Sequence, residues 1–138
     1  MPLLRERLHP VSATAVQGVV RQIQDLDSGR FADRENASRA LEALGELAAP
    51  ELEAALRNPV SAEVRRRIES ILDKARAAAI PPNVLRAVRA VEVLDRIGTK
   101  EARAILASLA QGVPNARLTR EAKASLARID RASQQRGN

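Results

Sequence analysis

Few side chains in this sequence have the type and spacing that metal binding or catalysis requires. The only histidine, His9, stands next to Pro10 with no cysteine and no second histidine near it, so we expect no metal site there. Nucleophilic catalysis needs a serine or cysteine beside a base. The chain has no cysteine, and His9 lies far in sequence from every convincing serine, so we expect no nucleophile–base pair.

Two pairs of closely spaced carboxylates are the remaining candidates for acid–base chemistry. They are Asp25 with Asp27, and Asp33 with Glu35. Carboxylates in loops and at helix starts more often cap a helix or complement its dipole, and we interpret both pairs in this way. Since the sequence has no glycine-rich phosphate loop either, we expect neither an enzyme nor a cofactor.

Arginine supplies most of the positive charge. The net charge is +6, with 20 arginines and three lysines, and such an excess can attract nucleic acid or an acidic partner. Five arginines form the candidate interaction surface: Arg65, Arg66, Arg86, Arg89 and Arg96. The first two belong to a run of three arginines that fans around its helix, whereas the other three share one helix face.

The spacing of acids and bases predicts that much of this charge is neutralised locally. Three pairs are four residues apart with the acid first, the favourable order in a helix: Glu35–Arg39, Glu63–Arg67 and Glu92–Arg96. We therefore expect a solvated surface of dispersed charge, and duplex DNA binding that is weak and lost by about 200 mM salt. The scarcity of aromatic residues, one Phe and no Trp or Tyr, argues against single-strand binding by base stacking.

The elements that must position these side chains are predicted to be helices. Leu, Ile, Val and 26 alanines recur at helical rather than alternating spacing. We expect one domain over residues 1–132 of the 138-residue chain, and a monomer. No apolar run approaches the roughly 18 residues of a membrane span. With no secretory segment and no cysteine, the expected location is the cytoplasm.

The stretch from Val84 to Ile97 is predicted to be the central helix. Nine of its 14 residues are apolar, and a helix apolar over so much of its circumference must be covered on several sides. Gly98 is predicted to end it with a left-handed cap, and Thr99 to act as the N-cap of the next helix.

Seven main helices are expected. Periodicity and breaker residues place them at about 13–25, 31–47, 50–58, 61–79, 83–97, 100–110 and 119–132. The predicted N-caps of the first, fourth and seventh are Ser12 or Thr14, Ser61, and Thr119. Residues 3–8 have room for two turns at most, which are marginal unless they pack on something. Residues 133–138 are predicted to be a mobile tail.

Two sets of three helices match each other in sequence. At an offset of 53 residues, Leu41 falls on Leu94 and Gly45 falls on Gly98. At an offset of 58 residues, the helix after Ser61 falls on the helix after Thr119. We therefore interpret residues 31–79 and 83–132 as two three-helix units that follow a first helix, a pattern typical of stacked helical repeats.

Two patterns in these units carry a family resemblance. They are Arg34-x-x-Ala37-x-x-Ala40-Leu41-x-x-Leu44-Gly45, preceded by Asp27, and Ile97-Gly98-Thr99-Lys100-Glu101-Ala102. The first resembles the first helix of a HEAT repeat, with Asp27 in the place of the family's loop aspartate, and the second resembles its turn and second helix. The resemblance implies an all-α fold, a short right-handed α-solenoid of HEAT/armadillo-like repeats. The residues with an expected structural role are Asp27, Phe31, Arg34, Gly45 and Gly98.

Three longer stretches carry a second resemblance: LRERL at 4–8, DLDSGRFADRENA at 25–37 and RAVEVLDRIGT at 89–99. With them, most of the chain resembles the helical region that follows WD-repeat β-propellers in large bacterial proteins. This resemblance brings no catalytic residue with it. It implies a protein-interaction or scaffolding module from a longer protein.

Two functions stay open at this point. The first is an interaction module whose partner is another protein or another domain of the parent chain, because stacked helical repeats create extended binding surfaces. The second is a helical repeat that binds the backbone of duplex nucleic acid, for which the net charge is the argument.

Overall fold

A computed structural model describes residues 2–137, and over this range the chain is 77% helical with no strand. Seven of the α-helices have seven residues or more, and the all-α prediction is confirmed. The ends of the predicted domain and of the predicted tail, Met1 and Asn138, lie outside the described residues.

The chain divides into two compact units. One is a single stretch, Thr14–Ala79, and is called the continuous unit below. The other joins residues 2–13 to residues 80–137 and is called the discontinuous unit. The later junction falls at Ile80-Pro81-Pro82, a short link between the helices predicted at 61–79 and 83–97, where the first proline imposes an extended conformation on the residue before it.

The continuous unit contains four α-helices and a short 3₁₀ helix. Their bounds are α2 Val19–Asp25, α3 Phe31–Leu44, a 3₁₀ helix Gly45–Ala48, α4 Ala49–Leu56 and α5 Ala62–Ala77. Helix α5 packs against both α3 and α4, while α2 packs against α3. The largest fully buried side chains of this core are Leu26, Leu41, Leu52, Ile68 and Ile71.

The discontinuous unit contains the other four α-helices. They are α1 Pro2–Arg7, α6 Pro82–Ile97, α7 Lys100–Leu109 and α8 Arg117–Arg136. Helix α8 packs against both α6 and α7, around a core that includes Val91, Leu94, Leu106 and Leu109.

The N-terminal segment is tied to this second core. Leu4 and Leu8 are partly buried against it, and the Val113 N–H donates a hydrogen bond to the Val11 carbonyl over 2.8 Å. A helix as short as α1 is unstable alone, so these contacts explain why it forms.

The prediction of a first α-helix at 13–25 is wrong for the first half of that range. Ala13–Val16 is a 3₁₀ helix, and α2 begins only at Val19. Between them Gly18 has a φ of 86°, a left-handed conformation that interrupts an α-helix, and it is Gly18 that occupies the N-cap of α2.

Three of the predicted caps are confirmed. The N–H of Val64 donates to the Ser61 side chain and that of Ala102 to the Thr99 side chain, each over 3.2 Å. Gly98 ends α6 with φ 62° and ψ 10°, the predicted left-handed cap.

The helix predicted at 31–47 ends at Leu44 instead, because of Gly45. Its φ of 56° and ψ of −127° lie outside every region that L-residues favour, and a 3₁₀ helix follows. The glycines matched by the repeat, Gly45 and Gly98, therefore both have positive φ but end their helices in different conformations.

The last helix departs from its prediction at both ends. It starts at Arg117 with Ala116 as its N-cap, so the predicted cap at Thr119 is wrong. Thr119 lies in the first turn of α8 and is fully buried. Its side chain faces Gly112, because a Cβ on that glycine would lie 2.5 Å from the Thr119 hydroxyl oxygen. The helix also continues to Arg136, about one turn into the segment predicted to be a tail.

Helix α6 is less covered than its composition predicts. Only Val91 and Leu94 are buried, whereas Val93 is 49% and Ile97 is 42% exposed. Within its unit, α6 packs against two long helices, α7 and α8, and these bury one side of it. The prediction of a helix covered on several sides is therefore wrong for the side that carries Val93 and Ile97.

Candidate interaction surface

The two units differ strongly in charge. The discontinuous unit has 13 Lys and Arg against six Asp and Glu, a side-chain charge of +7. The continuous unit has 10 against 11, a charge of −1. The whole positive excess of the chain thus belongs to one unit, although the basic residues are dispersed over both units and it is the acidic residues that are unevenly divided.

Within the discontinuous unit, the exposed side of α6 combines basic and apolar side chains. We call this side the α6 outer face and define it by five exposed residues: Arg86, Arg89, Val93, Arg96 and Ile97. At 100° per residue they fall within an arc of about 100°, and they extend about 16 Å along the helix axis. No carboxylate lies within that arc.

The arginines of the α6 outer face have no protein partner. Arg86, Arg89 and Arg96 form no hydrogen bond or ion pair with any residue between 2 and 137. Asp95 points to the other side of α6, where the Arg128 guanidinium of α8 donates to it over 2.8 Å. The predicted Glu92–Arg96 ion pair does not form. The attraction between two exposed charges is too weak to offset the conformational entropy lost when two long side chains are held in one geometry.

The other two candidate arginines, Arg65 and Arg66, belong to α5 of the continuous unit. Both are exposed, and neither has a partner among the described residues. The structure therefore does not assemble the five candidates into one patch. Three of them share the α6 outer face, and two lie in a unit with no excess of positive charge.

Arg66 lines an open groove of about 400 Å³ between α3 and α5, which is occupied by internal ion pairs. Arg67 donates to Glu35 over 3.0 Å and to Glu63 over 3.2 Å, and Lys74 donates to Glu42 over 2.7 Å. The hydrogen bond that Arg67 donates to Glu35 is the main cause that raises the pKa of the Arg67 guanidinium. A raised cation pKa adds stability that is lost only at strongly alkaline pH, so this network holds α3 and α5 together across the physiological range.

The observed pairing in this groove corrects another prediction. Glu63–Arg67 forms as expected, but Glu35 pairs with Arg67 rather than with Arg39. The Arg67 side chain is only 19% exposed and already restrained between two helices, so pairing with it costs less side-chain entropy than pairing with the exposed Arg39.

Arg34 has a structural position in the continuous unit, as the family pattern implies. It donates to the Ser28 carbonyl over 2.7 Å and lies 3.4 Å from the Glu63 carboxylate. Its guanidinium also lies 5.7 Å from the centre of the Phe31 ring. Phe31 is itself 64% exposed and therefore lies outside the core.

Asp27, which stands in the place of the family's loop aspartate, is exposed, and its carboxylate has no partner among the described residues. The loop is held instead by the Ser28 hydroxyl, which donates to Asp33 over 2.9 Å. Of the four carboxylates considered for acid–base chemistry, Asp33 and Glu35 are thus engaged in local structure.

His9 is exposed and lines a pocket of about 310 Å³ between the N-terminal segment and α7, together with Arg5 and Ser108. Between residues 2 and 137, no group of three or more His, Cys, Asp or Glu side chains is placed to hold a metal ion. In the same range, no helix is both long and apolar enough to cross a membrane.

Sequence reasoning missed two features of this surface. The first is the charge difference, which a count of charged residues on either side of the Ile80-Pro81-Pro82 link would have indicated. The second is the exposure of Val93 and Ile97, which no local pattern indicates because the sequence resembles that of a fully covered helix.

Comparison of the chain with protein-family models, with curated proteins and with solved structures finds no match. The family resemblance described above therefore depends on the residues that carry it.

Proposed function

We propose that the chain is a non-enzymatic interaction module that binds an acidic protein, or an acidic domain of a longer parent chain, through its discontinuous unit. The observation that carries the proposal is the charge of +7 on this unit, with the arginines of the α6 outer face left without carboxylate partners. Such cations remain available to a partner, and complementary charge accelerates association and selects among partners.

We propose further that the chain is a short right-handed solenoid of HEAT-like repeats. Three kinds of matched position support this proposal. Leu41 and Leu94 are both fully buried, and Gly45 and Gly98 both end a helix with positive φ. Glu42 and Asp95, also 53 residues apart, each accept a hydrogen bond from a cation on the last helix of their unit, Lys74 on α5 or Arg128 on α8.

Duplex nucleic acid is the second candidate partner. The same excess of positive charge in one unit favours it, because phosphate backbones attract clustered cations without base recognition. Two apolar side chains among the arginines favour a protein partner over a phosphate backbone.

Two parallel titrations distinguish an acidic protein partner from a duplex nucleic-acid partner. Fluorescently labelled polyglutamate and labelled random duplex DNA are titrated with the full chain at about 50 and 150 mM salt. The proposal predicts saturable binding of polyglutamate at both salt concentrations, weaker at the higher one because the contact is electrostatic, while DNA binding falls by a factor of ten or more. DNA binding that persists while polyglutamate binding is lost would contradict the proposal and favour the nucleic-acid function.

A further inference from the structure

We propose that the α6 outer face is the docking site for an acidic amphipathic helix of a partner protein. This inference rests on the proposed function and specifies where the acidic partner binds and what shape it has. The face combines two features that an isolated charged surface lacks, an apolar centre and a basic border.

The apolar centre is the pair Val93 and Ile97. They are one helical turn apart, and both retain more than two fifths of their accessible surface. Side chains spaced by one turn match the i, i+4 spacing of apolar residues on a second helix, which favours a helical over an extended partner. Helices that pack side by side bury such pairs against each other.

The basic border sets the charge of the partner. Arg86 and Arg89 precede the apolar pair along α6, and Arg96 lies beside Ile97. None of the three has a partner within the described residues. Arg89 and Arg96 lie on one side of the apolar pair, and Arg86 lies in line with it toward the start of α6. Carboxylates along the matching side of an apolar stripe would reach these guanidinium groups, which bind carboxylates in bidentate geometry.

The surroundings of the face do not supply an alternative partner for these cations. The nearest acid at its edge, Glu92, forms no ion pair with them, and Asp95 is held by Arg128 on the other side of the helix. Lys100, at the start of α7, is also exposed, but the exposed Glu101 next to it offsets its charge. The positive charge of the face therefore comes from its three arginines.

The test uses a synthetic peptide of about 16 residues, long enough to form a helix, with leucines at i and i+4 flanked by glutamates on an alanine background. The control peptide has the same composition, with its two leucines on opposite helix faces. Binding to the ¹⁵N-labelled full chain is followed by amide chemical shifts at physiological salt. We expect saturable shifts at α6, and at least about fivefold weaker binding of the control peptide.

Matched variants of the chain assign the binding to the face. Val93→Ser combined with Ile97→Ser should weaken peptide binding about tenfold, because the apolar contact is lost. Val20→Ser, which changes a 62% exposed valine of the continuous unit, should leave binding within a factor of about two. Since all three side chains are exposed, circular dichroism should show unchanged helix content in both proteins.

The outcomes distinguish this inference from the proposed function. Equal binding of the two peptides, or shifts at α8 rather than α6, would overturn the docking site while leaving an acidic partner in place. If neither peptide nor polyglutamate binds at about 0.5 mM, both proposals fail. The docking site is also overturned if duplex DNA, or vesicles with anionic lipid, shift α6 at physiological salt while the peptide does not.

Discussion

The two units of this protein bury their helices alike and present different surfaces. In each unit the last helix, α5 or α8, packs on two others. Glu42 of α3 and Asp95 of α6, which are 53 residues apart in sequence, each accept a hydrogen bond from a cation on that last helix. The continuous unit uses much of its charge in ion pairs between α3 and α5 and is nearly neutral. The discontinuous unit has a charge of +7 and an outer face on α6 that its own helices do not use. The two units thus share a packing pattern and differ in the charge of their surfaces, and for this reason we assign the proposed binding to the surface of one unit.

Among the variants that compare the two units, we expect the largest loss of stability from a substitution of Gly112, which lies in the discontinuous unit. A Cβ there would lie 2.5 Å from the Thr119 hydroxyl and 2.8 Å from the Val11 backbone nitrogen. We expect Gly112→Ala to lower the free energy of unfolding by about 3 kcal/mol and to release the N-terminal segment. Chemical denaturation with amide hydrogen exchange measures both. The control is Gly29→Ala in the continuous unit, where no atom lies within 4 Å, so stability should be unchanged or slightly higher.

The second-largest loss of stability should differ between Gly45 and Gly98, the two glycines that the repeat matches. Gly45 has φ 56° and ψ −127°, the conformation of the first central residue of a type II′ turn, whereas Gly98 is in the left-handed helical region. A β-branched residue is strained at both, and more so at Gly45. We expect losses of about 2 kcal/mol for Gly45→Val and about 1 kcal/mol for Gly98→Val by thermal denaturation. Equal losses, or a Gly98→Val protein that melts within a degree of the parent, would contradict this account.

Ser61 and Thr119, which the repeat also matches, should respond in opposite directions. Ser61 accepts the Val64 N–H, so Ser61→Ala should cost about 1 kcal/mol. The Thr119 hydroxyl is buried without a hydrogen-bond partner, so Thr119→Val, which replaces it with a methyl group, should stabilise by about 1 kcal/mol. Denaturant midpoints of the two variants measure the effect. A destabilised Thr119→Val protein would mean that this hydroxyl has a partner in solution.

The smallest loss of stability should follow from breaking the two matched ion pairs, Lys74–Glu42 and Arg128–Asp95. Asp95→Asn and Glu42→Gln each remove the negative charge that pairs with a cation on the last helix of the unit, Arg128 or Lys74. Because both cations are about half exposed or more, we expect each variant to lose about 0.5 kcal/mol or less in thermal denaturation. A loss above about 1 kcal/mol in one unit alone would show that the two pairs are not equivalent.

Much of the helical layout could be predicted because its signals are local. The caps at Ser61, Gly98 and Thr99 depend on residues within one turn, and each formed as expected. Thr119 has the same local signal and failed as a cap, because its position is set by Val11 and Gly112, one of them more than 100 residues away in sequence. A local sequence pattern contains no information about a contact between residues so far apart in the chain.

The candidate surface was harder to predict for a similar reason. The three arginines on one face of α6 follow from helical periodicity, and they do share a face. The exposure of Val93 and Ile97 depends on how many helices cover α6, which is a property of tertiary structure. The charge difference between the units is mostly present in the sequence itself, because residues 80–138 alone have a side-chain charge of +6.

The central claim is that binding of acidic partners belongs to the discontinuous unit, and two charge-matched variants test it most directly. One changes Arg86, Arg89 and Arg96 to Gln, and the other changes Arg21, Arg39 and Arg57, which are exposed and unpaired residues of the continuous unit. Each variant loses three charges, so their net charges are equal. In anisotropy titrations with labelled polyglutamate at physiological salt, we expect the first to bind about tenfold more weakly and the second to change by less than about twofold. Equal weakening of the two variants would contradict the claim, because it would mean that the attraction follows the net charge of the whole chain.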